Sequence, residues 1–319
     1  MRATVIIPTY NRPDLLLRQL ACLAEQTGSD LCEVLVCDDG SSTDTAGAIA
    51  PFMGRIPGLR HLWQEDLGFR AGQARNMGIR VAKGDILLFV DDDLLFPADF
   101  VTRHVNAHRE VLNGHPARRV VLGFRSRTMT PPVGVVPTPD EMLGSDGDDR
   151  VELIGEHGDG IVGHAHPWFF VYSCNFSVPS RPEVVFDDAF EGWGMEDTEL
   201  GYRLVKAGYE VVVRPEARVL HVEDPAPRDP FRCTERGLEP HYDSYVRNAV
   251  QFIDRYPEDT ELKAMLAPEL RWYVRDASGH WVKNGHENDA EAVLAAVRAE
   301  RVCRDSAAAS VTVRPGARG

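Results

Sequence analysis

Residues 86–93 read Ile86-Leu87-Leu88-Phe89-Val90-Asp91-Asp92-Asp93, and the fold turns on them. Five consecutive apolar residues are too short for a globular helix and suit a strand buried on both faces. The run stops at three carboxylates. Burying charge is costly unless it is paired or metal-bound, so these acids should emerge at the carboxyl end of the strand. In open α/β sheets that edge is where ligands sit. Side chains alternate along extended chain, so Asp91 and Asp93 can face one side while Asp92 faces another. Two hard oxygen donors at that spacing suit Mg²⁺ or Mn²⁺, which could in turn hold a diphosphate. The plainer reading is an acidic loop that caps the next helix.

Upstream, residues 3–7 form a short β-branched run ended by Pro8, a first buried strand. The polar loop Thr9-Tyr10-Asn11-Arg12-Pro13 leads into an amphipathic helix over residues 14–25. A second strand over 33–37 again closes on acids, Asp38-Asp39, before Gly40. A short strand at 61–63 precedes a Gly-punctuated loop and a helix carrying Arg75 near its start. Strand–helix alternation on this period implies right-handed βαβ units and a parallel sheet.

Downstream, residues 120–124 read as a strand, whereas 128–166 are rich in Pro, Gly and Asp with little periodicity. Such a stretch is a functional lid, a disordered loop or a set of unrecognised elements. Pattern returns at 168–178, then in a helix over 196–207 stopped by Gly208, and in strand-like runs at 210–213 and 218–220, the latter ending at His221. Helices are expected at 242–256 and 290–302, followed by a loose tail.

The 319 residues suffice for one large domain or two modest ones, and 43% hydrophobic with 26% charged residues is ordinary for a globular chain. A net charge of −14 argues against a broad nucleic-acid surface but not against a nucleotide whose charge a metal offsets. Six scattered cysteines lack CxxC or zinc spacing. With no signal-peptide pattern and no window of 18 apolar residues, a cytoplasmic location without a transmembrane segment is expected.

These pieces together resemble glycosyltransferase family 2, the inverting nucleotide-sugar enzymes of the GT-A fold. The matching residues are Val5-Ile6-Ile7-Pro8-Thr9-Tyr10-Asn11-Arg12, Val36-Cys37-Asp38-Asp39-Gly40-Ser41, Ala74-Arg75-Asn76-Met77-Gly78 and Phe89-Val90-Asp91-Asp92-Asp93. Residues 190–204, with Gly192-Trp193-Gly194 before Glu196-Asp197, resemble the galactosyltransferase-type segment of chondroitin-type polymerases and of the transferases that initiate mucin-type glycans. The resemblance covers roughly residues 3–225. It implies an α/β fold of GT-A type, a Rossmann-like, mostly parallel sheet flanked by helices, with a helical C-terminal extension. Residues 1–230 would be the transferase domain, 1–125 binding the nucleotide-sugar and 126–230 the acceptor. Residues 231–319 would be the extension and tail.

By resemblance, Asp93 ligates Mn²⁺ or Mg²⁺ and Asp91 contacts the ribose or the metal's water shell, with Asp92 beside them. His221 matches the second metal ligand, although a lone His is also a common structural residue. Asp39 would accept the base N–H, with Pro8, Tyr10 and Arg12 lining the same pocket. Arg75 would pair with phosphate or with Asp91. Asp197 would be the base that takes the acceptor hydroxyl's proton, and Glu196 would bind acceptor hydroxyls. Trp193 offers an apolar face to a sugar ring, unless it simply packs in the core.

The implied activity is metal-dependent, inverting transfer of a hexose or N-acetylhexosamine from a UDP-sugar to a glycan, lipid-linked or natural-product hydroxyl. Two other readings are an inactive nucleotide-sugar sensor or scaffold, and a sugar-nucleotide pyrophosphorylase. The latter normally carries a Gly-rich basic loop after the first strand, which Pro8-Thr9-Tyr10-Asn11 does not resemble. A homo-oligomer is compatible with the sequence, and a nucleic-acid partner is not expected.

Overall fold

The computed structural model describes residues 1–112, 115–116, 118–144, 147–223 and 241–311. In chain order the elements begin with β1 (Ala3–Thr9), α1 (Pro13–Ala24), β2 (Leu31–Asp38), α2 (Thr45–Ile49), β3 (Arg60–Trp63) and α3 (Ala71–Val81). Then come β4 (Ile86–Phe89), β5 (Leu94–Leu95), α4 (Phe100–Arg109), the two-residue strands β6 (Val111–Leu112) and β7 (His115–Pro116), and β8 (Arg119–Thr128). They are followed by α5 (Val151–Ile154), β9 (Phe176–Pro179), α6 (Glu196–Lys206) and β10 (Glu210–Val222). The last are α7 (His241–Arg255), α8 (Thr260–Leu266), β11 (Tyr273–Arg275), β12 (Trp281–Lys283) and α9 (Ala290–Val311).

The apolar run at 86–90 supplies β4, in the middle of an eight-stranded sheet ordered β3-β2-β1-β4-β9-β8-β10-β5. The pairs β3–β2, β2–β1, β1–β4 and β8–β10 are parallel, and those of β9 with β4 and β8 and of β5 with β10 are antiparallel. The sheet is therefore mixed, with its parallel half where βαβ periodicity is read. Alternation along the central strands splits the core in two. Ile86, Leu88 and Val90 join Val5 and Ile7 against Leu16, Leu20 and Leu23 of α1 and Phe100 and Val105 of α4. Leu87 and Phe89 join Ile6 and Leu35 on the other face, with Ala74 of α3 and Leu200 and Leu204 of α6. A helix layer on each side is why residues 86–90 are apolar without interruption.

The two short runs at 210–213 and 218–220 are one strand, β10, whose register on β8 breaks between Arg214 and Val219. The break presses Ala217 O against the strand opposite, where a Cβ on Gly123 would lie 2.0 Å from it. Asn175 satisfies the exposed carbonyls, its Nδ2 donating to Ala217 O at 2.7 Å and Phe124 O at 3.2 Å. Its Oδ1 is thereby left to accept from His104 Nε2 at 2.8 Å. His104 Nδ1 then accepts from Ser177 Oγ at 2.9 Å, and Ser177 Oγ accepts from His108 Nε2 at 2.9 Å. One proton order serves the whole buried chain.

The stretch 128–166 is short turns around α5, anchored by one fully buried ion pair. Arg150 donates to Asp148 Oδ1 and Oδ2 at 2.9 and 2.7 Å, to Phe170 O at 3.0 Å and to Gly123 O at 2.8 Å. Burial alone would raise the Asp148 carboxyl, but hydrogen bonds and charge from Arg150 hold it at about 2.

The described residues form two compact units. The first comprises Met1–Glu191 and the stretch from Glu196 through β10; the second comprises Gly192–Met195 and the described residues from α7 onward. In the second, α7, α8 and α9 bury Val246, Phe252, Leu262, Leu266 and Leu294 beside the β11–β12 hairpin. The helices expected at 242–256 and 290–302 are α7 and α9, while α8 and the hairpin have no counterpart in the sequence reading. The tail expected after 302 is helical as far as Val311, where α9 ends, and its remainder, like the stretch 224–240, lies outside the described residues. Among the described residues, no helix is long and apolar enough to cross a membrane.

Two outcomes follow from these buried polar groups. Burial lowers His104 to about 4 and, with the charges of His104, Arg119 and Arg214, lowers His108 to about 3. Both folded values lie below the ordinary 6.5, so the unfolded chain takes up protons first, and this contribution to stability, full above pH 6.5, declines as pH falls toward 4. The urea midpoint should accordingly drop more steeply over that window in the wild type than in His104→Asn/His108→Asn; equal slopes would refute it. Replacing Asp148 by Ala strands the Arg150 charge and should cost about 3–5 kcal/mol in equilibrium unfolding.

Candidate active site

The strands converge at one edge. β1, β2 and β4 run parallel, with Thr9 opposite Asp38 and Ile6 opposite Phe89. Two antiparallel steps through β9 make β8 parallel to β4, and β10 parallel to β8. The carboxyl ends of β1, β2, β4 and β10 therefore open on the same side, carrying Arg12, Asp39, Asp91–Asp93 and His221. The turn after β4 feeds β5, which pairs back on β10 with Leu94 opposite His221, and Val222 N donates to Asp93 O at 3.0 Å. That pairing brings Asp93 to His221, 128 positions apart in sequence.

Asp93 is the meeting point. Its Oδ2 lies 3.1 Å from His221 Nε2 and 3.0 Å from an Arg12 terminal nitrogen, while Arg12 also donates to Asp92 Oδ1 at 3.0 Å. Thr9 Oγ1 donates to Asp92 Oδ2 at 2.7 Å. Burial works to raise the Asp93 carboxyl, but the charges of His221 and Arg12 hold it well below the ordinary range. The Asp93 charge raises His221 against the opposing effect of burial. Burial raises Asp92 despite Arg12, and the neighbouring Asp93 adds to the rise.

Asp93 Oδ1 and His221 Nδ1 are buried without a hydrogen-bond partner. A carboxylate and an imidazole, each with an orphaned buried atom, fit a divalent cation of the Mn²⁺ or Mg²⁺ kind. Asp91 does not join this pair: its Oδ1 accepts from Arg75 at 2.8 Å. Among the described residues no three His, Cys, Asp or Glu side chains are grouped as a metal site.

Arg75 faces inward from α3. Besides Asp91 it donates to Glu196 Oε1 at 3.3 Å, and its guanidinium lies 5.4 Å from the Phe186 ring centroid. Asn76 Nδ2, donating to Phe186 O at 2.9 Å, holds that ring's segment in place. Glu196 opens α6; burial and the adjacent Asp197 push its carboxyl up to about 7 against Arg75, and its Oε2 is buried without a partner. Asp197 differs: Oδ2 accepts from Ser173 N at 2.8 Å and Ser173 Oγ at 3.3 Å, and Oδ1 from Thr198 N at 2.7 Å and Thr198 Oγ1 at 3.3 Å.

At the end of β2, Asp39 Oδ1 accepts from Gln64 Nε2 and Oδ2 from Arg70 N, both at 2.7 Å. Pro8 sits opposite Cys37, and Tyr10 donates through its hydroxyl to Asp66 Oδ2 at 2.9 Å. Gly40 (φ +90°) is required here, because a Cβ would lie 2.4 Å from Asp66 N. Trp193 lies in the second unit, 38% exposed, its ring centroid 5.5 Å from that of Tyr245.

Sequence reasoning missed Ser173, Gln64 and Asn11. Asn11, at φ +51°, accepts from Ser42 N and Thr43 N and ties the first loop to the second. Asn in the left-handed region was the available signal; Ser173, inside an aromatic run, gave none.

Comparison with known proteins agrees with this geometry. Residues 4–128 match the model described as Glycosyl transferase family 2, and residues 186–225 that described as N-terminal domain of galactosyltransferase. Validoxylamine A glucosyltransferase of Streptomyces hygroscopicus subsp. jinggangensis is 33% identical over 288 residues, covering 85% of this chain. The chain spans 63% of that relative's length. Among solved structures, S. aureus TarS 1–349 in complex with UDP-GlcNAc aligns at TM-score 0.58 and 16% identity, over 85% of this chain and 72% of that one. The mannosyltransferase PcManGT of Pyrobaculum calidifontis, in complex with GDP-Man and Mn²⁺, aligns at 0.57 and 19%, over 98% and 79%. On sequence and fold together, the chain belongs to glycosyltransferase family 2, with a GT-A fold and a galactosyltransferase-type segment.

Proposed function

We propose that this protein transfers a hexose or N-acetylhexosamine, with inversion, from a UDP-sugar to an acceptor hydroxyl. The observation that carries the reading is the Asp93–His221 pair, buried at the carboxyl edge with one unpartnered polar atom on each side chain. Asp93 and His221 would hold Mn²⁺ or Mg²⁺ with Asp91 nearby, and the cation would supply Lewis-acid neutralisation of the departing diphosphate. Asp39 receives the uracil N–H, and Pro8, Tyr10, Arg12 and Asp92 complete the nucleotide side. Arg75, held between Asp91 and Glu196, keeps the donor-side and acceptor-side carboxylates at fixed separation.

Asp197 takes the acceptor hydroxyl's proton as that oxygen forms its bond to the anomeric carbon. The bond from that carbon to the diphosphate breaks on the opposite face, its electron pair leaving with UDP, so the configuration inverts. Ser173 and Thr198 fix the Asp197 carboxylate for the transfer. Glu196 binds acceptor hydroxyls and Trp193 packs against a sugar ring. The name of the Streptomyces relative supports placing glucose first among donor sugars.

Titration of UDP into metal-free protein should show binding that strengthens at least about tenfold with Mn²⁺ and loses that gain in Asp93→Ala, a difference of about 1.4 kcal/mol. Identical binding with and without Mn²⁺ would remove Asp93 and His221 from this role. Asp197→Asn should retain UDP binding and lower the rate of UDP release from the UDP-sugar by about 10²–10⁴. Unchanged release would reassign the base.

A further inference from the structure

The backbone that carries the acidic triplet leaves the sheet for two residues. The pairing of β4 with β1 ends where Val90 N donates to Ile6 O at 3.3 Å, and sheet pairing resumes where Val222 N donates to Asp93 O at 3.0 Å. In between, the peptide joining Asp91 to Asp92 belongs to no strand. A side chain holds it instead: Gln19 Nε2, on α1, donates to Asp91 O at 2.5 Å. Each carboxylate has anchors of its own, Arg75 for Asp91, Thr9 and Arg12 for Asp92, Arg12 and His221 for Asp93. Gln19 anchors the backbone that all three share.

Packing does not account for this glutamine. Leu16, Gln19, Leu20 and Leu23 recur at helical spacing as the buried face of α1, and Gln19 is as fully buried as Leu16 and Leu20. Leucine or methionine suits such a stripe, whereas burying an amide is costly unless its polar atoms are hydrogen-bonded. One of them is not: Gln19 Oε1 is buried without a partner. Turning the amide over gives no relief, because Asp91 O can only accept and would then face an oxygen. The position therefore costs stability, and its return is one hydrogen bond to the turn that bears the acids.

We propose that Gln19 is a positioning residue for the cation site: it fixes the peptide plane between Asp91 and Asp92 and so sets the direction from which Asp93 meets His221. The plane itself is rigid, and the soft dihedrals on either side of it are ψ of Asp91 and φ of Asp92. A hydrogen bond to Asp91 O restrains both at once. Groups that orient metal ligands without touching the metal govern its affinity, and Gln19 acts in that way through the backbone. The inference rests on the transferase reading, in which Asp93 and His221 hold Mn²⁺ or Mg²⁺, and adds α1 to it.

The test compares the full chain with its Gln19→Met variant, which keeps the length of the side chain and removes the donor. Calorimetric titration of UDP at a series of Mn²⁺ concentrations gives the metal-free affinity and the Mn²⁺ concentration at which half the gain is reached. In Gln19→Met that concentration should rise about 10–100-fold, with metal-free UDP affinity within about twofold of wild type and a urea midpoint close to it. Leu16→Met alters the same face of α1 without touching Asp91 and should leave the Mn²⁺ requirement unchanged. Gln19→Leu serves in place of Gln19→Met if the latter does not fold. An unchanged Mn²⁺ requirement in a folded Gln19 variant overturns the proposal. An equal rise in Leu16→Met also overturns it, since packing alone would then explain the effect. Failure of both Gln19 variants to fold would make Gln19 a requirement of the core and overturn it as well. Wild-type protein whose UDP binding is indifferent to Mn²⁺ defeats the metal-dependent reading of the site, and the inference with it.

Discussion

The Asp93 carboxylate is the constraint from which the site is built. It sits in a nearly sealed position, where an isolated charge would be far too costly, so the fold must bring cations to it. One arrives from the end of β1 as Arg12, the other from the end of β10 as His221. Neither would meet Asp93 without the sheet order that sets β1 beside β4 and the two-residue β5 that folds the post-β4 chain onto β10. Packing of the central strands and placement of the site are one requirement: shifting β4 by a residue would exchange its two core faces and turn the acids away together.

Much of this was legible because it depends on short-range pattern. The unbroken apolar run at 86–90 and the largely apolar, β-branched one at 3–7 state that both faces are covered, and the acids closing two strands mark the ligand edge. The prediction tied to His104 and His108 marks where legibility ends. Nothing local announces that Asn175 would face a register break, or that two histidines would share one serine across 73 and 69 positions. The break made two strands out of one in the reading, because Pro215 and Glu216 interrupt an apolar pattern without ending the strand.

The stretch 128–166 was opaque for a related reason. Hydrophobic periodicity reports elements that bury a face, whereas this stretch is held by scattered single anchors such as Met142, Ile154 and Ile161 and by the buried pair Arg150–Asp148, residue types normally read as surface. In the second unit, α7 and α9 announced themselves by period.

The balance of charge at the carboxyl edge bears on the proposed diphosphate ligand. Asp91, Asp92, Asp93, Glu196 and Asp197 are drawn to one side of the first unit. Among the described residues their direct cationic partners are Arg12, Arg75 and His221, while Asp197 accepts from the neutral donors Ser173 and Thr198. A second anion brought to this edge would meet surplus negative charge in a poorly screened setting. The imbalance is relieved by holding protons on the carboxylates that burial raises, Asp92 and Glu196, or by a dication. A proton relieves one charge and would close an acceptor atom, whereas a dication relieves two and leaves coordination positions for phosphate oxygens. On the proposed reading, a divalent cation at Asp93, whose Oδ1 is buried without a partner, would make the acid-rich edge compatible with a nucleotide-diphosphate ligand.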